Sequence, residues 1–378
     1  MPCYNNFITM KITVLLDIED RIKNKLKRNL KKFLLKVFNL LTIRHFIISK
    51  HDIRPQGNER QAIDRTDNDA VTKKYLSKRW GAIAKQRLDN QKKETKTPNN
   101  WLDSDLVERY YIRPRVSGDP NLWWLTYAAN KYIHHKLAHG LSLGCGDGLY
   151  ERVCVQAGIS EKMDAFDISE EAIEVAKTAA MKEGIINYIN YQTADINTLL
   201  LPEEKYDMVL CNMSLHHFKE LDHIYSEISK SLKQGSLFLF NEFVGPSQFQ
   251  WTDKQLKIIN DILKILPEKY RNLPTYKCYK NSFSRPTIED MISTDPSEAI
   301  RSKDIIPKLE NYFSIIEKKD YGGTILNMLL QDIIGNFDGN VQEDMTILKL
   351  IFYIEDILLH EGCIESDHSM VVCKKKGL

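Results

Sequence analysis

From residue 136 onward, short apolar runs alternate with glycine turns and with segments whose apolar positions recur at three- and four-residue steps. Side chains alternate across a strand but share one face every third or fourth residue along a helix. The short runs therefore read as strands and the periodic segments as helices. The pattern predicts strands at 137–143, 162–166, 188–193, 206–211 and 236–243, with helices at 149–157, 169–181 and 221–232. Ser169 stands where a helix cap is needed, and Glu170 and Glu171 follow in the first turn, where the macrodipole favours acids. Further helices are expected at 252–266, at 286–292 and up to residue 360, with strands at 312–318 and 369–374. Strands alternating with helices of this length imply right-handed crossovers and a doubly wound, mainly parallel α/β sheet.

The first hundred residues follow a different pattern. In 20–46, Lys23, Lys27, Lys31 and Arg44 interleave with Ile22, Leu26, Leu30, Phe33, Val37 and Leu41 at helical spacing, which makes a basic amphipathic helix. Two readings stand for it: adsorption to an anionic membrane surface, or docking on its own domain or a second subunit with the charged face in water. Residues 51–100 are polar, with a short helix expected at 71–87 and an exposed connection at 92–100. The expected organisation is an extension over 1–100, an α/β domain over 101–378, and within it a helical insertion at about 245–305.

Charge and cysteine content narrow the partners. Lys and Arg number 53 against 51 Asp and Glu, a net charge of +2, so no global field favours nucleic acid. Seven scattered cysteines with no C-x-x-C pair suggest neither a disulfide framework nor a zinc site, and no metal is expected. Cys145, Cys154 and Cys211 fall in segments that read as buried, which fits a reducing, cytoplasmic compartment. No apolar run approaches the ~20 residues that span a bilayer. The first residues also lack the pattern of a secretory leader.

The chemistry concentrates at Gly144-Cys145-Gly146-Asp147-Gly148, where the first strand turns into a helix. Glycines there allow unusual dihedrals and close approach of a ligand to the backbone. Leu149 occupies the place of the third glycine in a dinucleotide fingerprint. Asp147 adds a negative charge that opposes a pyrophosphate and suits a cofactor carrying an ammonium and a sulfonium. About twenty residues on, Asp167 closes the second strand, where a carboxylate can take both ribose hydroxyls.

Together with Asp195 in Thr193-Ala-Asp-Ile196 and the run Tyr206-Asp-Met-Val-Leu-Cys-Asn-Met-Ser-Leu-His-His-Phe218, these residues resemble the class I S-adenosylmethionine-dependent methyltransferases over about 101–374. The resemblance implies a seven-stranded sheet with an antiparallel last strand and S-adenosylmethionine as cofactor. It places the glycine turn under the methionyl part, Asp167 with Ile168 at the ribose, Asp195 with Ile196 beside the adenine, and Asn212 on the methionyl side. The segment 243–251 and the later Tyr321-Gly-Gly-Thr324 look like a subgroup met in glycan and small-molecule biosynthesis.

Methyl transfer needs alignment and, for a hydroxyl acceptor, removal of a proton. His216 and His217 after the fourth strand and Glu242 at the end of the fifth are the candidate bases; each could instead serve packing or backbone contacts. Tyr110, Tyr111, Arg113 and Arg115 could cover the cofactor or its carboxylate, or form ordinary salt bridges. Phe249, Trp251, Tyr276 and Arg285 could line an acceptor pocket or tie the insertion down. The expected acceptor is a small molecule, a hydroxyl of a sugar or glycan precursor. A protein or RNA methyltransferase should show a basic groove or an Asn-Pro-Pro-Tyr type motif, whereas Asn212 is followed by Met213-Ser214. A cofactor-binding interaction scaffold and a nicotinamide oxidoreductase are the other classes.

Overall fold

A computed structural model describes residues 69–91, 98–273 and 276–376; the basic segment 20–46 lies outside the described residues. The described residues build a seven-stranded sheet. Its strands are β1 (Leu137–Leu143), β2 (Ser160–Asp167), β3 (Ile189–Thr193), β4 (Tyr206–Asn212), β5 (Leu232–Phe243), β6 (Phe313–Gly322) and β7 (His368–Lys375). The spatial order is β3-β2-β1-β4-β5-β7-β6. The first five strands pair in parallel, and β7 is antiparallel to both β5 and β6.

Burial follows from this order. Met208, Val209, Leu210 and Cys211 of the central β4 are all wholly buried, as a parallel strand covered on both faces must be. On the edge strand β6, buried or half-buried residues alternate with exposed ones, the pattern of a strand with one wet face. Observed β5 begins four residues before the expected 236, because Gly235 at φ 81° carries the chain through the polar stretch Lys233-Gln-Gly-Ser236 without ending the strand. That polarity is what hid the start.

Helices cover the sheet. They are α1 (Asp69–Gln91), α2 (Trp124–Tyr132), α3 (Leu149–Gln156), α4 (Glu170–Lys182), α5 (Leu221–Ser231), α6 (Asp253–Ile265), α7 (Ile288–Thr294), α8 (Ile305–Tyr312), α9 (Leu326–Leu330) and α10 (Gln342–His360). On one face, Leu221, Ile224 and Ile228 of α5 and Ile305 and Leu309 of α8 join Leu141, Val209 and Phe238 in a single cluster. Each such fully buried side chain contributes about 1.5–3 kcal/mol. The Ser169 side chain caps α4 by accepting from the Ala172 N–H, and the Thr252–Gln255 capping box starts α6.

Helix α1 is longer than the expected 71–87 and lies against α4. Gly81 makes this approach close, since a Cβ there would fall 2.3 Å from the Glu171 Cβ. Helix α1 thereby belongs to the same compact unit as the sheet. Among the described residues no helix is long and apolar enough to cross a membrane.

Candidate active site

The strand order reverses between β1 and β4, and in doubly wound sheets ligands bind beyond the carboxyl ends of strands at that point. The glycine turn follows β1, and its three glycines have positive φ: 74° at Gly144, 53° at Gly146 and 74° at Gly148. Their surroundings differ. A Cβ on Gly144 would lie 2.5 Å from the Ser214 Cβ, and one on Gly148 would lie 2.5 Å from the Tyr191 hydroxyl. A Cβ on Gly146 would meet nothing within 4 Å. Two glycines thus serve packing, and Gly146 alone faces open space in which a ligand can rest on the backbone.

Asp167 is organised by this turn. Its Oδ2 accepts the Gly146 N–H at 2.9 Å and its Oδ1 accepts the Ser169 N–H at 2.9 Å. Burial raises its pKa, and the backbone donors of Ser169, Gly146 and Ile168 oppose that rise. Each oxygen keeps a lone pair for a further donor, as two ribose hydroxyls would require. Asp147 turns back on its own helix: Oδ1 accepts the Leu149 N–H, and the Asp147 carbonyl accepts from Arg152. Cys145 is buried, and burial pushes its thiol well above the ordinary range.

Glu151, in the first turn of α3, is wholly buried with its carboxylate beside Ser142, and neither oxygen makes a hydrogen bond of ordinary geometry among the described residues. Burial brings its pKa up to about 7. An open backbone cradle at Gly146, an acid with spare lone pairs and a buried carboxylate under the turn fit a ligand with ribose hydroxyls and a cationic end.

Asp195 accepts from Asn197 and pairs with Lys73 of α1 at 2.8 Å. Ile196 is buried in the core cluster, and Ile168 is half-buried between Asp167 and the cap of α4. Asn212 ends β4; its side-chain oxygen accepts from Asn241, whose own oxygen accepts the Tyr321 hydroxyl.

The acceptor-side groups converge next to it. After β4 the chain turns at Met213, φ 48°, into the short 3₁₀ turn Leu215–His217. Glu242 builds this turn: its Oε2 accepts the Ser214 and Leu215 N–H groups, and its Oε1 accepts the Phe243 N–H. The same Oε1 pairs with His216 Nδ1. Glu242 is wholly buried, so its carboxylate is enclosed by donors.

The second nitrogen of His216, Nε2, lies 3.4 Å from Glu298 Oε1. Burial alone would lower the His216 pKa, but the charge and hydrogen bond of Glu242, aided by Glu298, outweigh it and raise it to about 10. His217 shifts the other way, because burial and the charge of His216 both lower it. It packs edge-on to Trp80 of α1 at 4.6 Å, with Nδ1 3.2 Å from the Ser297 hydroxyl.

Sequence reasoning missed Glu298, Asp295 and Ser297, and the α1 residues Lys73, Arg79 and Trp80. Arg79 pairs with Asp295 at 3.1 Å, and the Ile300 N–H donates to the His216 carbonyl, so α1 and the insertion both close on the histidine turn. Their signal was confined to the turn-forming run Asp295-Pro-Ser.

Other expectations resolve toward structure. Arg113 pairs with Glu108, Arg115 pairs with Asp356 and lies over the Tyr111 ring, and the Tyr111 hydroxyl donates to buried Glu355. Tyr110 is exposed, with Lys349 over its ring. Phe249 and Trp251 stack on each other at 4.9 Å, and Trp251 meets Phe283 edge-on, so these aromatics tie the insertion together. Arg285 donates to the Trp251 carbonyl and pairs with Asp253; Tyr276 is exposed.

Residues 141–240, the stretch that holds the glycine turn, Asp167, Asp195, Asn212 and the histidine pair, match the family profile described as a methyltransferase domain. The chain thus carries a methyltransferase domain of the S-adenosylmethionine-dependent class over this stretch, and S-adenosylmethionine is the cofactor that this domain takes. It is similar to the malonyl-[acyl-carrier protein] O-methyltransferase 2 of Ilyobacter polytropus, 25% identical over 145 residues that cover 35% of this chain and 54% of that one. It is also similar to the ubiquinone biosynthesis O-methyltransferase of Coxiella burnetii, 29% identical over 115 residues, 29% of this chain and 47% of that one. The chain thus spans about half the length of these curated relatives. Among solved structures, the geranyl diphosphate C-methyltransferase of Streptomyces coelicolor aligns with 82% of this chain and 100% of that one, at 11% identity and a TM-score of 0.43.

Proposed function

We propose that this protein transfers a methyl group from S-adenosylmethionine to a hydroxyl of a small-molecule acceptor, with sugars and glycan precursors as the first class to test. The observation that carries this reading is the junction at the ends of β1, β4 and β5. There an open glycine cradle and a ribose-competent carboxylate sit beside a histidine pair bracketed by Glu242 and Glu298. The cofactor supplies an activated methyl group on a sulfonium. Gly146 and Asp167 would hold it, Asn212 would line its methionyl side, and Asp195 and Ile196 would flank the adenine.

The rest is positioning and proton handling by the chain itself. Glu242 has its oxygens committed to three backbone N–H groups and to His216, so it fixes the turn while the His216, His217 and Glu298 cluster faces the acceptor. Alignment of acceptor and methyl supplies the larger share of the rate, and the cluster orients the acceptor oxygen and assists loss of its proton. A net charge of +2 fits a small acceptor better than a nucleic acid.

The test is incubation of the full chain with methyl-labelled S-adenosylmethionine and a panel of sugars, phenols, carboxylic acids and isoprenoid diphosphates. The expected product is a labelled methyl ether. Label found only in protein or RNA would overturn the acceptor assignment.

A further inference from the structure

The histidine cluster has a geometry that proton handling alone does not require. One nitrogen of His216, one nitrogen of His217 and one carboxylate oxygen of Glu298 all lie within 4.8 Å of one another. The His216 Nε2 to Glu298 Oε1 distance is 3.4 Å. Two ligands bound at about 2.1 Å to a tetrahedral ion are themselves about 3.4 Å apart, so this edge already has the spacing of a coordination polyhedron.

The supporting residues fit as well. Glu242, wholly buried, engages His216 Nδ1, which turns Nε2 outward and fixes the ring plane; carboxylates hold metal-binding imidazoles in this way. The loop that carries Glu298 is tied down on both sides. Asp295 pairs with Arg79 and accepts the Ser297 hydroxyl, and the Ile300 N–H bonds the His216 carbonyl. Two carboxylates, Glu242 and Glu298, flank one imidazole; without a metal the imidazolium proton offsets them, and a dication at Nε2 would displace that proton and take over its role.

We propose that His216, His217 and Glu298 form a site for one divalent cation of the zinc, manganese or iron(II) class. Two imidazoles and one carboxylate suit these borderline ions, whereas calcium and magnesium favour oxygen ligands throughout. Three protein ligands leave a coordination position for an outside oxygen. Its use to hold the acceptor hydroxyl rests on the methyl-transfer reading above; cation binding does not. The sequence hid the site because its ligands come from an adjacent pair and from a loop some 80 positions away, with no metal-motif spacing.

The experiment uses the full chain, stripped with a chelator and then titrated with Zn²⁺ against a chromophoric competitor and with Co²⁺ by visible absorption. One equivalent of each ion is expected, with cobalt bands of a four- or five-coordinate nitrogen and oxygen site. Glu298→Gln and His217→Gln should each weaken Zn²⁺ binding at least tenfold, and Glu242→Gln by about 10–100-fold, with circular dichroism unchanged. Failure of the wild-type chain to take up an equivalent of either ion would overturn the proposal without any variant. So would Glu298→Gln binding as tightly as wild type, which would leave the cluster an ion-paired one. Calorimetry with S-adenosylmethionine on the same samples separates the two readings: absence of cofactor binding would sink the methyl-transfer reading and leave the metal result standing.

Discussion

The three glycines of the turn should respond differently to the same substitution. Gly146→Ala places a methyl group in open space, so its structural cost is confined to holding an L-residue at φ 53°. That cost is about 1–2 kcal/mol. At about 2–4 °C per kcal/mol, the Tm should fall by roughly 2–8 °C. Gly144→Ala bears a similar backbone cost and also drives its methyl to 2.5 Å from the Ser214 Cβ. Overpacking of this kind adds about 1–3 kcal/mol, so its Tm should fall further. Affinity for S-adenosylmethionine should rank the other way: the Gly146 methyl occupies the ligand's own space and should cost at least tenfold, about 1.4 kcal/mol. Calorimetric titration and thermal denaturation of the two variants read both quantities. The reasoning is refuted if Gly146→Ala keeps its cofactor affinity within about twofold of wild type.

Further expectations concern the acid, the histidines and the amino-terminal segment. Asp167→Asn keeps the side chain's shape but removes its charge, and with about 1.5–3 kcal/mol for a hydrogen bond to a charged group, cofactor affinity should fall tenfold or more by calorimetry. His217→Ala should lower turnover on the true acceptor by about 10²–10⁴ with cofactor affinity unchanged; near-normal turnover would remove the histidine cluster from the chemistry. Tyr111→Phe removes the hydroxyl donor to buried Glu355, which still accepts from Gly323, Ile325 and Leu326, so a loss of about 1.5–3 kcal/mol in urea unfolding is expected. If the basic segment 20–46 adsorbs to membranes, anionic vesicles should recruit the full chain at low salt and release it at high salt. Removal of residues 1–50 should then abolish recruitment and leave cofactor binding intact.

The parts legible in the sequence are those in which local pattern and function coincide. The Met208–Cys211 stretch of β4 is buried on both faces and reads as an apolar run, and Ser169 with Glu170 and Glu171 marks the start of α4 by local chemistry alone. The glycine turn and Asp167 lie in adjacent strand ends, so their spacing along the chain carries their meeting in space. Glu298 reaches His216 only because the insertion folds back over β4, and Trp80 reaches His217 only because Gly81 lets α1 approach α4. No periodicity encodes either encounter. Arg115 and Trp251 illustrate the opposite limit: residue types suited to binding a carboxylate or a sugar are spent on Asp356 and on Phe249, partners that only tertiary structure supplies.

The central claim is that the cradle formed by Gly146 and Asp167 takes S-adenosylmethionine, and parallel calorimetric titrations of the full chain with S-adenosylmethionine and with NAD test it most directly. Saturation at one equivalent of S-adenosylmethionine, weakened in Asp167→Asn, and no binding of NAD are expected. Binding of NAD without binding of S-adenosylmethionine would contradict the claim.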